Sequence, residues 1–117
     1  MSSLTSDIAD RLIEEQGFDL VIPAQFTAIS DEAFFAKKLK SIELPGSVIS
    51  IGAYAFSDNQ LASVDLPDGL EVIGEDAFSY NQLKSVELPG SVISIGAYAF
   101  SDNQLASADL PDGLEVI

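Results

Sequence analysis

Carboxylates and hydroxyls recur at a fixed interval in this sequence. Glu43, Asp65, Glu87 and Asp109 follow one another every 22 residues, and Ser41, Ser63, Ser85 and Ser107 each stand two positions earlier. Residues two apart on a strand share a face, so stacked strands about 4.8 Å apart would line the acids into one column and the serines into a second. Carboxylates about 5 Å apart have the separation of a retaining glycosidase pair. Acid–base chemistry, however, needs one site whose two carboxyls differ in environment, and here the same pair recurs at every layer. The chain has no histidine to activate the serines as nucleophiles. No residue is therefore assigned a catalytic role, and the chain is read as non-enzymatic. Oxygen ligands suit calcium, but the loop of alternating Asp residues closed by a bidentate Glu is absent. The column is read as a solvated charged face, with Lys40 and Lys84 beside it offsetting part of the repulsion. No cofactor and no metal site follow from these residues. Tyr54 and Tyr98 occupy matching positions in the repeat and are read as surface packing.

Composition narrows the choice of partner. Five Lys and Arg stand against nineteen Asp and Glu, a formal charge of −14, which repels nucleic acid phosphates and anionic headgroups and makes nucleic acid and membrane poor partners. With no cysteine, a disulfide framework and a thiolate zinc site are both excluded. The opening "MSSLTSDIADRLIEEQG" carries acids and no continuous apolar run, so it reads as neither signal peptide nor membrane anchor. At 117 residues with 47% hydrophobic content, the chain can bury the core of one domain.

The elements that position these residues are repeats. Shifted by 44 residues, Lys40 to Ile73 superimposes on Lys84 to Ile117 with two changes, Ile42 to Val86 and Val64 to Ala108. A shift of 22 also aligns the chain more loosely into units 39–60, 61–82 and 83–104, with a partial unit at 105–117 and a degenerate first unit at 17–38. Two unit types thus alternate. In each unit the alternation of Ile42 and Leu44 with Ser41 and Glu43 predicts a short strand that Pro45 stops. Val48, Ile51, Ala55 and Phe56 then recur at spacings that predict a brief helical or 3₁₀ return segment. A single unit cannot bury its own apolar stripe, whereas stacked units place Phe34, Phe56, Phe78 and Phe100 in one column. Asn59, Asn81 and Asn103 have two readings. Either they form an internal ladder bonding the turn backbone of their own and the next unit, or they are exposed turn residues.

Residues 39–117 throughout, and 17–38 loosely, resemble leucine-rich repeats of the bacterial surface-antigen (BspA-like) type, whose units read roughly L-x-x-I-x-L-P-x-x-L-x-x-I-G-x-x-A-F. The resemblance implies an α/β repeat solenoid, right-handed, with parallel strands on a concave face, and roles in adhesion or protein binding. It also implies a parent that is secreted or at the cell surface, whose signal would lie outside this chain. Two departures stand out. Ser47, Gly69, Ser91 and Gly113 occupy the position where common leucine-rich repeats carry Asn, and Asn59, Asn81 and Asn103 stand where the BspA-like unit often has Cys.

Both ends of such a stack need cover. From Leu4 to Gln16, Leu4, Ile8, Leu12 and Ile13 fall on one helical face, with Thr5, Ser6 or Asp7 as start and Gly17 as stop, so residues 1–16 are read as an N-terminal cap helix. The sequence stops before the last unit's Gly and Ala-Phe, as expected of an array cut short. Leu105, Ala108, Leu110, Leu114 and Ile117 would then form a bare end that either frays or pairs two chains as an end-to-end homodimer. Two functional readings follow. The first is a leucine-rich-repeat interaction module whose concave face, Ser41, Glu43, Ser63, Asp65, Ser85, Glu87, Ser107 and Asp109, docks a basic protein or a glycan. The second is a truncated or engineered repeat scaffold with no ligand of its own.

Overall fold

The computed structural model describes residues 2–105. Elements β1 (Ser2–Leu4), α1 (Ser6–Gln16), β2 (Asp19–Val21), β3 (Phe26–Ile29), β4 (Ser41–Glu43), β5 (Ser50–Ile51), β6 (Val72–Ile73) and β7 (Ser94–Ile95) follow in chain order. Two parallel sheets result, one ordered β1-β3-β5-β6-β7 and one pairing β2 with β4. Their registers carry the repeat. Ile29, Ile51, Ile73 and Ile95 are successive partners, 22 residues apart, in the first sheet. In the second, Leu20 pairs with Ile42, and a parallel bridge from Glu43 to Asp65 extends the ladder by one unit.

The first sheet corrects an expectation. The spacing of Val48, Ile51, Ala55 and Phe56 fits a helix, yet α1 is the sole helix among the described residues, and the return segments hold two-residue strands followed by turns. The physical reason lies in where the amides find acceptors. Val48, Ile49 and Ile51 are β-branched, and an identical edge is presented by each neighbouring unit. Ile49 N–H accordingly donates to Thr27 O at 2.7 Å and Gly52 N–H to Ile29 O at 2.8 Å, both in the preceding unit. Local tightening survives only as turns, such as Ala55 N–H to Gly52 O at 3.2 Å and Ser57 N–H to Tyr54 O at 3.3 Å. Glycine here permits close approach of the coils. A Cβ on Gly74 would lie 2.6 Å from Ala53 N and 2.7 Å from Gly52 C.

The turns form a third ladder. Tyr54, Phe56 and Asp58 N–H donate to Glu75, Ala77 and Ser79 O in the following unit at 2.8, 2.8 and 3.0 Å, and the units on either side repeat the pattern. Aiming alternate donors along the stack requires left-handed backbone at non-glycine residues. Glu32, Tyr54, Asp76 and Tyr98 have φ of 59°, 59°, 54° and 62°, and Ala36, Asp58, Tyr80 and Asp102 have φ of 54°, 60°, 57° and 58°. For L-residues this conformation costs about 1–2 kcal/mol each, so the ladder and the core must hold it in place.

Between the ladders lies one core. Phe34, Phe56, Phe78 and Phe100 are buried and stack nearly parallel, with centroid separations of 5.2, 5.2 and 5.5 Å. The expected phenylalanine column is present. At the first unit, Leu4 belongs to β1, paired with Ile29, rather than to the helix, which starts at Ser6 after Thr5, a residue that makes no side-chain capping bond. Serine and threonine around Leu4 favour an extended entry, and β3 offers an edge that a helix could not use. Helix α1 buries Ala9 and Leu12 against the core, and Ile8 and Ile13 pack beside them. The Gln16 carboxamide donates to Val21 O at 3.0 Å and accepts from Val21 N–H at 2.9 Å, taking the place of a neighbouring strand at the edge of β2. Lys37 Nζ, 2.7 Å from Asp10 Oδ1, ties the helix to the first turn.

Candidate interaction surface

On the second sheet and the matching segments of the next two units, the even positions are buried and the odd ones exposed. Leu20, Ile42, Leu44 and Val64 face inward while Ser41, Glu43, Ser63, Asp65, Ser85 and Glu87 face solvent. The register joins Asp19 to Ser41 and Val21 to Glu43, and Glu43 is the direct partner of Asp65. Ser41 Oγ donates to Asp19 Oδ1 at 2.9 Å, so the serine column begins with a carboxylate, whereas the acidic column begins with the apolar Val21. A shallow groove of about 290 Å3 runs over Asp19, Val21, Ser41, Glu43 and Asp65. Among the described residues Lys40 and Lys84 form no ion pair with this column, and the ion pair found there is Lys37 with Asp10. No group of three or more acidic side chains among the described residues is gathered closely enough to hold a metal ion. Ser107, Asp109, Ala108, Leu110, Leu114 and Ile117 lie outside the described residues, and Leu105, the remaining member of the expected end contact, is half-buried.

The asparagines resolve into the ladder. Asn81 Oδ1 accepts from Leu61 N–H at 3.1 Å, and its Nδ2 donates to Phe78 O and Ser79 O in its own unit and to Phe56 O in the preceding one at 3.1, 3.2 and 2.9 Å. Asn59 and Asn103 repeat the set. The link runs to the preceding unit rather than to the next, because the side chain points back over the Phe turn that has just been completed. Ser47 and Ser91 bridge units in a similar way, donating to Phe26 O at 2.6 Å and Leu70 O at 2.7 Å. Among the described residues no buried side-chain nitrogen or oxygen lacks a partner.

The model of the BspA type leucine rich repeat region matches residues 17–117 in six copies. The chain belongs to the BspA-type leucine-rich repeat family. Neither the curated proteins nor the solved structures searched returned a match. In this leucine-rich repeat, one bond of each asparagine, from Nδ2 to the Phe carbonyl of the preceding unit, makes the unit-to-unit link, and the others stay within its own unit. The surface of the turn ladder carries Tyr54 and Tyr98, read from the sequence as surface packing, together with Tyr80, which that reading did not single out. Tyr54, Tyr80 and Tyr98 project from the turn ladder, 36%, 56% and 45% exposed, among Asp58, Asp76 and Asp102. Asp76 foremost, then lost hydration, Glu75, a hydrogen bond to Asp76 and Glu32, hold the Tyr54 phenol above its ordinary pKa of 10.0. The signal was in the sequence, as Tyr and Asp exchange places between "AYAFSDNQ" and "EDAFSYNQ". The turn ladder that aims both positions outward is a property of stacked units.

Proposed function

We propose that this chain is a non-enzymatic interaction module: a right-handed leucine-rich-repeat solenoid, with α1 as its N-terminal cap, that docks a basic protein on the face carrying Ser41, Glu43, Ser63, Asp65, Ser85 and Glu87. The observation that carries the reading is the in-register pairing of exposed carboxylates Glu43 and Asp65 beside a column of serines, with no cation of the described residues bound to them. Like charges held side by side cost free energy that a cationic partner relieves, and the field of a chain at −14 steers such a partner in. Serine hydroxyls add donors and acceptors at little entropic cost. Family membership supports an interaction role and leaves the partner to the chemistry of this face.

The test is titration with a small basic globular protein such as lysozyme. Binding is expected to weaken as ionic strength rises from about 0.02 to about 0.3 M, because the Debye length contracts over that range. The variant Glu43→Gln, Asp65→Asn, Glu87→Gln should bind more weakly at low salt. Affinity that stays flat with salt, or that the triple variant leaves unchanged, would refute the assignment of this face.

A further inference from the structure

The three tyrosines of the chain all lie on the turn face, and each sits among carboxylates. Position by position, Tyr54, Asp76 and Tyr98 form one column, its tyrosines exposed and Asp76 half-buried, and Asp58, Tyr80 and Asp102 form a second, exposed throughout, four residues further along each turn. Every tyrosine therefore has an acid above or below it and another across the turn. Units 39–60, 61–82 and 83–104 carry no Lys or Arg anywhere in these turn segments. A rigid backbone supports the array, since Tyr54 and Tyr80 N–H donate to Glu75 O and Ser101 O at 2.8 and 3.0 Å.

We propose that this face is a second binding surface, separate from the serine and carboxylate face, for a cationic polypeptide segment in polyproline-II conformation bearing Arg or Lys at every third residue. Guanidinium suits the array doubly, stacking on a tyrosine ring while its N–H groups meet the neighbouring carboxylate. Spacing selects the conformation. Like positions recur every second unit, Tyr54 to Tyr98 and Asp58 to Asp102, which at about 4.8 Å per hydrogen-bonded rung is roughly 9.6 Å. Three residues of polyproline II rise about 9.3 Å. Two residues of an extended strand rise about 6.6 Å and fall out of step after one rung pair. The charge of the face determines the sign of the partner, and its aromatic rings favour a preordered, proline-rich segment over a flexible one.

Because the chain has no tryptophan, tyrosine emission and tyrosine ring resonances report on this face alone. The experiment titrates the full chain with a peptide of four Arg-Pro-Pro repeats and, separately, with one of four Arg-Pro repeats, at equal ionic strength. Expected are shifts of the Tyr54, Tyr80 and Tyr98 rings and about two- to fivefold tighter binding of the Arg-Pro-Pro peptide, the worth of one additional well-placed guanidinium on an exposed tyrosine ring. Asp58→Asn, Asp76→Asn, Asp102→Asn, which keeps every ring, should weaken it about tenfold or more, and Tyr54→Phe, Tyr80→Phe, Tyr98→Phe should leave it within about threefold. Glu43→Gln, Asp65→Asn, Glu87→Gln should not alter it. Equal affinity for the two peptides, unshifted rings, or an equal loss when the carboxylates of the other face are removed would overturn the proposal.

Discussion

The inward and outward residues of the turn segments keep different periods. Inward, Ala-Phe and Asn recur every 22 residues without exception through the three units, as Ala55-Phe56, Ala77-Phe78 and Ala99-Phe100, then Asn59, Asn81 and Asn103. Outward, the pattern closes only after 44, because Tyr54 and Asp58 become Asp76 and Tyr80 before returning as Tyr98 and Asp102. A buried residue meets a copy of itself above and below, and flat rings stacked 5.2 Å apart accept that arrangement. An exposed carboxylate placed on a carboxylate would be repelled, so alternation with tyrosine keeps like charges two rungs apart. On the turns the period thus records which neighbours each side tolerates, whereas the face with Glu43 beside Asp65 keeps the 22-residue period and retains the repulsion.

Substitutions inside should be costly in proportion to what they leave unfilled. Phe78→Ala removes a ring stacked on both sides and should destabilise the chain by about 3–5 kcal/mol, measured by denaturant unfolding. A loss below about 1 kcal/mol would mean that the column can close over the gap. Asn81→Ala should cost less, about 1–3 kcal/mol. Phe56 O and Phe78 O keep Asn59 and Asn103 as donors and Ser79 O keeps Asp58 N–H, so the group left without a partner is the Leu61 amide. Hydrogen exchange at Leu61 should quicken in this variant more than at Leu39 or Leu83.

Outward substitutions should be small and of either sign. Ala36 has φ of 54° with no side-chain bond to compensate, so Ala36→Gly trades about 1–2 kcal/mol of left-handed strain against about 0.5–1 of lost chain freedom and should stabilise by up to about 1.5 kcal/mol. Destabilisation by that change would show that the turn is not strained. Smaller still is the effect of Tyr54. With its pKa raised by Asp76 and the acids around it, the folded chain binds the phenolic proton more tightly than the unfolded one. Its contribution is full below the unfolded value of 10.0 and is lost as pH climbs from there through the raised folded value. NMR titration of the Tyr54 ring should place its midpoint above 10.0, moving back toward it in Asp76→Asn or at high salt; a midpoint at or below 10.0 would remove the carboxylate from the account.

Much of the inner surface is legible in the sequence. The 22-residue recurrence of Phe56 and Asn59 identifies residues that stack, and the strand at Ser41–Glu43 follows from its alternation. Val48 to Phe56 mislead because apolar spacing describes a segment by itself, while the hydrogen bonds that decide its conformation run to copies of it in adjacent units. Leu4 misleads for a related reason, as its spacing to Ile8 and Leu12 is helical but it pairs in register with Ile29 of β3 and its carbonyl accepts from Ser30 N–H. The side-by-side placing of Glu43 and Asp65 is legible from their 22-residue spacing, and the Val21 that precedes them in register is not, since the first unit departs from the repeat at that position.

Exchanging the outward residues of one unit tests the two-period account most directly. Asp76→Tyr with Tyr80→Asp converts the middle unit to the outward pattern of its neighbours, aligning three tyrosines in one column and three aspartates in the other while leaving Phe78 and Asn81 untouched. The account predicts denaturant unfolding within about 1 kcal/mol of the original, shifted toward lower stability at low salt by the stacked aspartates and restored at high salt. A loss of several kcal/mol that salt does not restore, comparable to Phe78→Ala, would contradict it by showing that the outward residues hold the stack together as the inward ones do.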